Sequence, residues 1–462
     1  KVKGRYEMNK KDTFFKVFRI IGDIVIMNLA FLTAFYFRFL SFSVRNLSAF
    51  FEQLPYISIF TVIVMYLYNL YTNQLKKNLG DIFYSFVPSS VIIVLFSVVL
   101  SYFLQTYHFP RSVFLIVLPI LFIYMVAWRY LSIKLEQKFS EPQKIVVVGK
   151  NEETCKIVKN INYGTNGGYK FEAIITQEDI VGLEYDNLSE LTRINSFDNL
   201  EEDLKELNPD LVFISGQIKE EIKKDLFYHS LEEEWEVSLV PDFYEIMLAG
   251  AEMEQIGEFP VYEMKRLRGF RYKTVKRITD IVVSTFGLLI TLPFTLLTVI
   301  AIKLESRGPI FFKQERMSKD GQTFDVYKFR TMVNNAEKHT GPVFADENDS
   351  RVTKVGNFLR KTRIDEIPQL INVLKGDMSL IGPRPERPHF VEKFEKDMPE
   401  YKYRHRVKSG ITGLAQIFGY YSSDPEDKLR LDLIYANKAS VIFDLKIMLH
   451  TIKVMLMGHK AN

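Results

Sequence analysis

Ile281-Val-Val-Ser-Thr-Phe-Gly-Leu-Leu-Ile-Thr-Leu-Pro-Phe-Thr-Leu-Leu-Thr-Val-Ile-Ala-Ile302 is the stretch on which the architecture turns. It is long and apolar enough to enter a bilayer, whose hydrocarbon layer of about 30 Å takes ~20 helical residues. Pro293 breaks its middle, because proline lacks the amide hydrogen and collides with the preceding turn. Thr291, just before it, can return a hydrogen bond to a backbone group that the proline frees. Basic residues flank both ends: Lys276 and Arg277 before, Lys303 and Arg307 after. Basic flanks mark the cytoplasmic side. The pattern therefore predicts a re-entrant helix over about 278–303 that enters and leaves on one face, in preference to a kinked full span.

Upstream, four further apolar runs occupy Phe18–Phe37, Leu54–Tyr71, Val87–Leu104 and Val113–Tyr130. Four such runs separated by short loops predict a transmembrane helical bundle over 14–140 rather than buried helices of a soluble domain. Lys1, Lys3, Arg5, Lys10, Lys11 and Lys16 precede the first run, Lys76 and Lys77 follow the second, and Lys134 and Lys138 follow the fourth. The other two loops carry only Arg38, Arg45 and Arg111, so both ends of the bundle read as cytoplasmic. Arg19 and Asp23 stand four apart and can pair on one helix face. The first run is longer than a signal-peptide core and no small-residue cleavage site follows it. The whole chain is 47% apolar and 14% aromatic, as membrane proteins are. A net charge of +4 with no basic-aromatic motif argues against nucleic-acid binding. The single cysteine, Cys155, excludes an internal disulfide and fits a cytosol-facing domain.

Between these parts, 144–262 reads as a soluble α/β domain. Ile145-Val-Val-Val148, Phe171–Thr176, Leu211-Val-Phe-Ile-Ser215 and Val237-Ser-Leu-Val240 are strands, with a helix over Glu153–Ile161, which suggests a Rossmann-like parallel sheet. The turn after the first strand, Gly149-Lys-Asn-Glu-Glu-Thr154, keeps one of the three glycines of a dinucleotide fingerprint. Its two glutamates would repel a pyrophosphate, so no NAD(P) site is expected. Scaffolding, with homo-oligomer formation through this domain, is the expected role.

The chemistry lies downstream. Lys361-Thr-Arg-Ile-Asp-Glu-Ile-Pro-Gln-Leu370 sets Asp365 and Glu366 side by side just before Pro368, which fits the first turn of a helix. The positive end of that helix would favour two ionised carboxylates. An ionised aspartate can attack phosphorus. A glutamate can hold Mg²⁺ against substrate phosphates. In Lys375-Gly-Asp-Met-Ser-Leu-Ile-Gly-Pro-Arg-Pro385, two prolines stiffen the loop that carries Arg384, whose fork suits bidentate phosphate contact. Lys328 and Arg330 alternate with Tyr327 and Phe329 at strand period and can meet a phosphate. Arg316, Arg351 and Arg360 are weaker candidates. At the C-terminus, Ile442, Leu445, Leu449, Ile452 and Leu456 recur at helical steps with Lys446 and Lys453 off the stripe, which fits an interfacial helix or a packed one.

Gly308-Pro-Ile-Phe-Phe-Lys-Gln-Glu-Arg316, Phe324–Met332, Asp349–Arg360, the Asp-Glu segment, Gly376–Pro385, Gly410-Ile-Thr-Gly-Leu-Ala-Gln416 and Leu431-Asp-Leu-Ile-Tyr435…Phe443-Asp-Leu-Lys446 follow in order. In this order and spacing, 270–462 resembles the bacterial sugar transferases, the monotopic polyprenyl-phosphate hexose-1-phosphate transferases. The bundle and middle domain are similar to the long, multi-domain form. Ser318 departs from a usual glycine, and Arg363 stands where a serine often precedes the Asp-Glu pair. Asp432 and Asp444 match acidic positions of the family.

The resemblance implies a three-part fold: a membrane α-helical bundle, a Rossmann-like α/β domain, and an α-rich, membrane-associated catalytic domain with a re-entrant helix. It also implies a Mg²⁺-dependent enzyme that moves hexose-1-phosphate from a UDP-sugar to undecaprenyl phosphate, giving the lipid diphosphate sugar and UMP. Such a step starts a surface polysaccharide or glycan. Asp365 would be the nucleophile and Glu366 its metal-linked partner. Arg384, Lys328, Arg330, Arg316 and Arg360 would bind substrate phosphates. Glucose or galactose is the expected sugar, from the long domain layout. Expected partners are the UDP-sugar, undecaprenyl phosphate and membrane lipid, at the bacterial inner membrane with the catalytic domain facing the cytoplasm. Ordinary glycosyl transfer often uses Asp-x-Asp, which is absent from the chain. The alternative reading is a membrane scaffold or regulatory ligand-binding protein with an inactive transferase domain.

Overall fold

The computed structural model describes residues 2–40, 44–105, 111–177, 192–194, 196–216, 218–233, 235–256, 258–263, 270–333, 349, 351–419 and 424–457. Lys1, Ser350 and the charged run Lys265-Arg-Leu-Arg268 lie outside the described residues. The chain divides into two compact units, Lys1–Asp242 and Phe243–Asn462.

The first unit opens with α1 (Val2–Phe39), α2 (Val44–Leu67), α3 (Leu79–Phe103) and α4 (Arg111–Phe139). Each is long and apolar enough to cross a membrane. Each also leaves large apolar side chains exposed, such as Ile21 and Val25 on α1, Leu95 and Val99 on α3 and Leu115 on α4, as a lipid-facing helix requires. Arg19 and Asp23 of α1 turn inward instead. Arg19 and Asp23 do not pair with each other. Arg19 donates to Glu136 (2.8 Å) and Asp23 accepts from Arg129 (2.8 and 3.2 Å), both on α4. All four are buried. A pair within one helix would leave both charges facing one side, whereas crossing to α4 satisfies them inside the bundle. Arg129 also donates to the Leu70 carbonyl (2.7 Å) and lies over the Phe86 ring, so it ties α4 to the turn after α2 and to α3.

The same unit carries a five-stranded, all-parallel sheet: β1 (Gln143–Gly149), β2 (Tyr169–Thr176), β3 (Thr192–Ile194), β4 (Leu211–Ile214) and β5 (Glu236–Leu239), in the order β3-β2-β1-β4-β5. The connecting helices include α5 (Asn151–Gly164), α6 (Leu200–Leu207) and α7 (Glu220–Glu233). Val146 and Val148 face Leu204 and Leu226, while Ile145 and Val147 face Ile157 and Val158. Both faces are covered, which is why β1 reads as an unbroken apolar run. The one glycine of the turn is there for packing: a Cβ on Gly149 would come within 2.4 Å of Thr154 Oγ1 and 2.5 Å of Ser215 Cβ. Glu153 is buried and accepts a hydrogen bond from Ser215, so a carboxylate stands at the carboxyl end of β1, beside β4. The turn after α2 holds this domain to the bundle, since Asn166 and Gly168 both donate to the Leu75 carbonyl (2.7 and 3.2 Å).

The second unit begins with α8 (Phe243–Leu248), upstream of the boundary at 262 read from composition. Ile246 packs against Leu429 and Leu433, and Asn437 donates to its carbonyl (2.9 Å). An exposed hairpin follows, β6 (Glu252–Ile256) with β7 (Phe259–Glu263). Next comes α9 (Phe270–Glu305), which takes in the whole apolar run as one helix that continues through Pro293. Thr291 donates to the Gly287 carbonyl (2.7 Å), one turn back, and not to the Leu289 carbonyl that the proline deprives of its amide. After α9 come β8 (Phe311–Met317) paired antiparallel with β9 (Thr323–Phe329), α10 (Lys354–Thr362) and α11 (Gln369–Lys375). Then come β10 (Ser379–Ile381), α12 (Pro388–Asp397), β11 (Gly410–Thr412) parallel to β10, α13 (Leu414–Phe418), α14 (Pro425–Lys438) and α15 (Val441–Met457). On α15, Ile447, Leu449 and Val454 are buried while Val441, Ile442, Ile452, Met455 and Leu456 are exposed. The helix thus packs on one side and presents an apolar face on the other.

Replacing Arg129 by Leu strands the buried Asp23 and should lower bundle stability by about 3–5 kcal/mol, while the double change Asp23→Leu/Arg129→Leu should restore most of it. Thermal unfolding in detergent, followed by circular dichroism, checks both.

Candidate active site

Arg363 ends α10 in the left-handed conformation (φ 55°, ψ 18°), and its carbonyl accepts from the Glu366 amide (3.2 Å). That reversal starts a 3-10 turn over Ile364–Glu366. Ile364 and Ile367, three apart, pack on Ile302, Phe329 and Leu359 and leave Asp365 and Glu366 on the other side of the turn. Pro368 takes the N-cap position of α11 rather than a place inside its first turn, so the two carboxylates precede the helix. Side-chain cations also gather around them.

Strand β9 brings the first of these. Asn372, fully buried on α11, accepts from the Tyr327 amide (3.0 Å) and donates to the Asp325 carbonyl (2.7 Å), which fixes β9 against α11. With β9 held there, Lys328 Nζ donates to Glu366 Oε1 (2.9 Å) and lies 4.0 Å from Asp365 Oδ2. Arg384 Nη2 reaches the same Glu366 oxygen at 3.4 Å, and Arg363 Nη1 lies 3.8 Å from Oε2. The two acids respond differently. Burial pushes Asp365 up to about 6, helped by the charge of Glu366 and opposed by Lys328. Burial also pulls Glu366 upward, but Lys328, Arg384 and Arg363 outweigh it and hold this carboxyl well below the ordinary range.

The loop of Arg384 is itself gripped. Arg404, buried on a 3-10 segment over Pro399–Arg406, donates to the Arg384 carbonyl (2.9 Å), pairs with buried Asp432 (2.8 Å) and bonds the Tyr401 hydroxyl. On the other side Arg316 donates to the Pro385 carbonyl (3.0 Å) and lies 3.4 Å from Glu386. Gly382 and Gly410 allow the loop to come this close, since a Cβ on either would meet backbone at 2.1 Å. A cleft lined by Arg316, Lys328, Gln369, Arg384, Pro385 and Gly410 opens beside the acids.

Of the residues singled out in the sequence, Asp365, Glu366, Lys328 and Arg384 converge directly. Arg316 lines the cleft and braces its loop. Arg360 donates to Thr331 Oγ1 (3.0 Å) and acts on Asp365 only as a nearby charge. Arg330 points elsewhere: β9 ends at Phe329, and the guanidinium donates to the Arg307 and Ser306 carbonyls (3.2 and 2.8 Å) just after α9. Arg351 pairs with Asp349. Asp444 accepts from Lys276 (3.0 Å) and Tyr272 (2.9 Å), and so joins α15 to the start of α9. Ser318 uses the hydroxyl that a glycine would lack: it donates to the Asp377 carbonyl (3.1 Å) and accepts from the Ser409 amide (3.2 Å). Asn372 and Arg404 were missed from sequence; the Arg in Tyr401-Lys-Tyr-Arg404 has no neighbour in the chain that hints at Arg384.

Residues 271–458 match the bacterial sugar transferase family. The chain is 46% identical over 194 residues to a UDP-N-acetylgalactosamine-undecaprenyl-phosphate N-acetylgalactosaminephosphotransferase of Aeromonas hydrophila, covering 41% of this chain and 46% of the relative. It is 40% identical over 223 residues to a UDP-glucose:undecaprenyl-phosphate glucose-1-phosphate transferase of Escherichia coli, covering 47% and 48%. The chain thus spans about half the length of these two curated relatives. A galactosyl transferase of Streptococcus agalactiae is matched over 350 residues at 33% identity, covering 70% of this chain and 74% of the relative. With the converged carboxylates and their cations, these matches establish that the chain belongs to the bacterial sugar transferase family.

Proposed function

We propose that this protein transfers hexose-1-phosphate from a UDP-sugar to undecaprenyl phosphate, releasing UMP and starting a surface polysaccharide or glycan. The observation that carries the reading is the pairing of a deeply ionised Glu366 with an adjacent Asp365 whose carboxyl is pushed up to about 6. A carboxylate of raised pKa is a better nucleophile, yet it is still ionised at neutral pH. Asp365 attacks the β-phosphorus of the diphosphate, a new O–P bond forms, the bridging P–O bond breaks, and UMP leaves. An oxygen of undecaprenyl phosphate then attacks the same phosphorus and frees the Asp365 carboxylate. Lys328 and Arg384 balance charge on the transferred group. A catalytically silent scaffold is not favoured, given the family and the intact acid pair.

Mg²⁺ is part of the proposal. Glu366 Oε1 is taken by Lys328 and Arg384, while Oε2 has Arg363 only at 3.8 Å, beyond hydrogen-bond length. A hard, ionised oxygen with no hydrogen bond from these cations fits an ion that takes one or two carboxylates and otherwise prefers phosphates and water. When bound, it would supply charge stabilisation at the diphosphate. Glucose or galactose stays the expected sugar, and the galactosyl transferase match over most of the chain supports it. The relative named for N-acetylgalactosamine makes UDP-N-acetylgalactosamine the necessary competitor in any substrate panel.

The inner membrane and a cytoplasmic catalytic domain complete the reading, with α9 as the re-entrant helix and the middle sheet as a Rossmann-like domain. For the sheet, the support is its strand order. Two features support re-entry. The apolar side chains of α9, among them Phe286, Leu289, Ile290, Phe294 and Leu297, are exposed. Yet both ends of the helix bind the one catalytic unit. Arg277 donates to the Val373 and Leu374 carbonyls (2.6 and 2.7 Å), and Asp280 accepts from Ser379 (3.1 Å). Beyond the proline, Ile302 packs on Phe329 and Glu305 accepts from the Val355 amide (3.0 Å). A straight span over Asp280–Ile302 would rise roughly 33 Å, more than the hydrocarbon layer, and put these contacts on opposite sides. Cysteines at positions 273 and 307 in a Cys155→Ser background should therefore label from the same side. Labelling from opposite sides would exclude re-entry.

Wild-type enzyme given UDP-sugar and Mg²⁺ without lipid should gain the mass of one hexose phosphate on the peptide containing Asp365. Asp365→Asn should form no adduct and lose orders of magnitude in turnover, as expected when a nucleophile that acts in a unit is removed. It should unfold no earlier than wild type at pH 8. The raised carboxyl binds its proton more tightly when folded, so the native state loses stability as pH rises through about 6, and the amide escapes that loss. UMP release that requires the lipid, with no adduct, would assign direct transfer instead.

Turnover should also fall as pH drops through about 6, as Asp365 takes up its proton. Burial, against the pull of Arg404, places Asp432 in the same range, so the limb is assigned in Asp432→Asn, where it should remain. A limb that vanishes there would belong to Asp432.

A further inference from the structure

Two side-chain amides stand one turn apart on the buried face of α11, and they are used differently. Asn372 spends both ends on the backbone of β9, accepting from the Tyr327 amide and donating to the Asp325 carbonyl. Gln369, the first residue of the helix, is 4% exposed, yet among the described residues no hydrogen bond reaches its side chain. The great majority of buried polar groups are paired, because an unpaired one costs stability, so an exception calls for an explanation. The amide atoms of Gln369 are not sealed in the interior, and the side chain lines the cleft beside Lys328 and Arg384. The amide thus faces space that a ligand can fill. We propose that Gln369 is a sugar-binding residue: its amide holds a ring hydroxyl of the hexose whose phosphate is transferred. The inference rests on the reading under Proposed function and deepens it.

A hydroxyl suits this position in chemistry and in place. Among the described residues that line the cleft, the polar side chains are those of Arg316, Lys328, Arg384 and Gln369. The three cations only donate, and phosphate oxygens ask for nothing else. A sugar hydroxyl both gives and takes a hydrogen bond. Of these four side chains only the glutamine amide does the same, and it adds no charge. The backbone is helical from Ile364 through the Asp-Glu turn, Ile367 and Pro368 into α11. Gln369 therefore follows Asp365 and Glu366 by one turn, the spacing at which helical side chains are neighbours, with Cβ atoms about 5–6 Å apart. In the proposed reaction the hexose is bonded through a single oxygen to the phosphorus that Asp365 attacks, which brings its ring to the amide.

The test uses full-length protein in nanodiscs with Mg²⁺, and as probe whichever of UDP-glucose and UDP-galactose the wild type turns over faster. Gln369→Met keeps the length and helix preference of the side chain and removes the amide, and Gln369→Leu is a second apolar variant. Neither breaks a hydrogen bond within the protein, so neither should melt below wild type. Binding is read by calorimetry in an Asp365→Asn background, which blocks turnover, and kinetics are read in the Asp365 enzyme with undecaprenyl phosphate. Each variant should lose about tenfold in affinity for the probe and gain about tenfold in KM, while UDP, which lacks the hexose, should bind within about twofold of its wild-type affinity. Singly deoxygenated forms of the probe identify the hydroxyl. At the position that Gln369 holds, deoxygenation should cost about tenfold in the wild-type enzyme and almost nothing further in Gln369→Met, since the two changes remove the same contact.

If no ring position shows that coupling, the sugar contact is overturned. UDP binding weakened as much as binding of the probe would assign the amide to the diphosphate or the uridine instead. Melting temperatures lowered in both variants, in step with the lost affinity, would make Gln369 structural and overturn the proposal as well. Under each of these outcomes wild-type protein still releases UMP, and the proposed reaction stands. Wild-type protein that neither binds nor releases UMP from UDP-glucose or UDP-galactose would remove the proposed function, and this inference with it.

Discussion

The bond from Lys328 to Glu366 is the interaction around which the catalytic unit is arranged. Two adjacent carboxylates in a half-buried turn cannot both stay ionised without close cations, since the desolvation and mutual repulsion of such a pair drive one to take up a proton. The chain meets this by bringing cations from separate elements: Lys328 from β9, Arg384 from a loop between prolines, Arg363 from the end of α10. Each needs its own support. Asn372 holds β9 at the depth that lets Lys328 reach, and Arg404 and Arg316 hold carbonyls of the Arg384 loop. Much of the packing in this unit serves to keep those side chains within a few ångströms of one turn.

The result is an unequal pair. Glu366 holds the closest cations, and for Asp365 burial and the neighbouring anion outweigh the more distant Lys328, Arg360 and Arg384. Environments that push two titratable groups apart commonly assign their roles. Here the acid held ionised suits a constant partner for cations or metal. The one poised near neutrality suits the group that must give up its charge to a phosphorus and recover it. Neither role needs a difference in side-chain chemistry, because position in the turn decides it.

What the sequence carried was local. Apolar runs of membrane length, the acid pair, the arginine between prolines and the β1 run all declare themselves within about twenty residues. Partnerships over long separations did not. Arg19 and Asp23 look like a pair because they stand one turn apart, yet their partners are Glu136 and Arg129 on α4. Arg330 shares the period of Lys328, but β9 ends between them, and a strand's alternation says nothing once the strand has stopped. Arg404 and Asn372 act on backbone, so no side-chain motif points to them. The three residues of β3 are too few to show a period. Nor did the change in composition reveal that α8 packs with α14.

One packing relation links the site to the membrane. Ile364 and Ile367, which set the direction of the acid turn, pack with Val299 and Ile302 of α9. Farther back along the same helix, a Cβ on Gly287 would lie 3.2 Å from Leu370 of α11. The turn and the helix after it are therefore seated in part on the apolar helix itself, together with β9 and α10. In the proposed reaction one substrate is water-soluble and the other has its phosphate at the lipid surface, so the nucleophile must stay within a few ångströms of that surface through both half-reactions. In that proposal, seating the turn on the apolar helix α9 meets the requirement by rigid packing. A catalytic domain tethered by a flexible linker would instead lose orientation between the two steps.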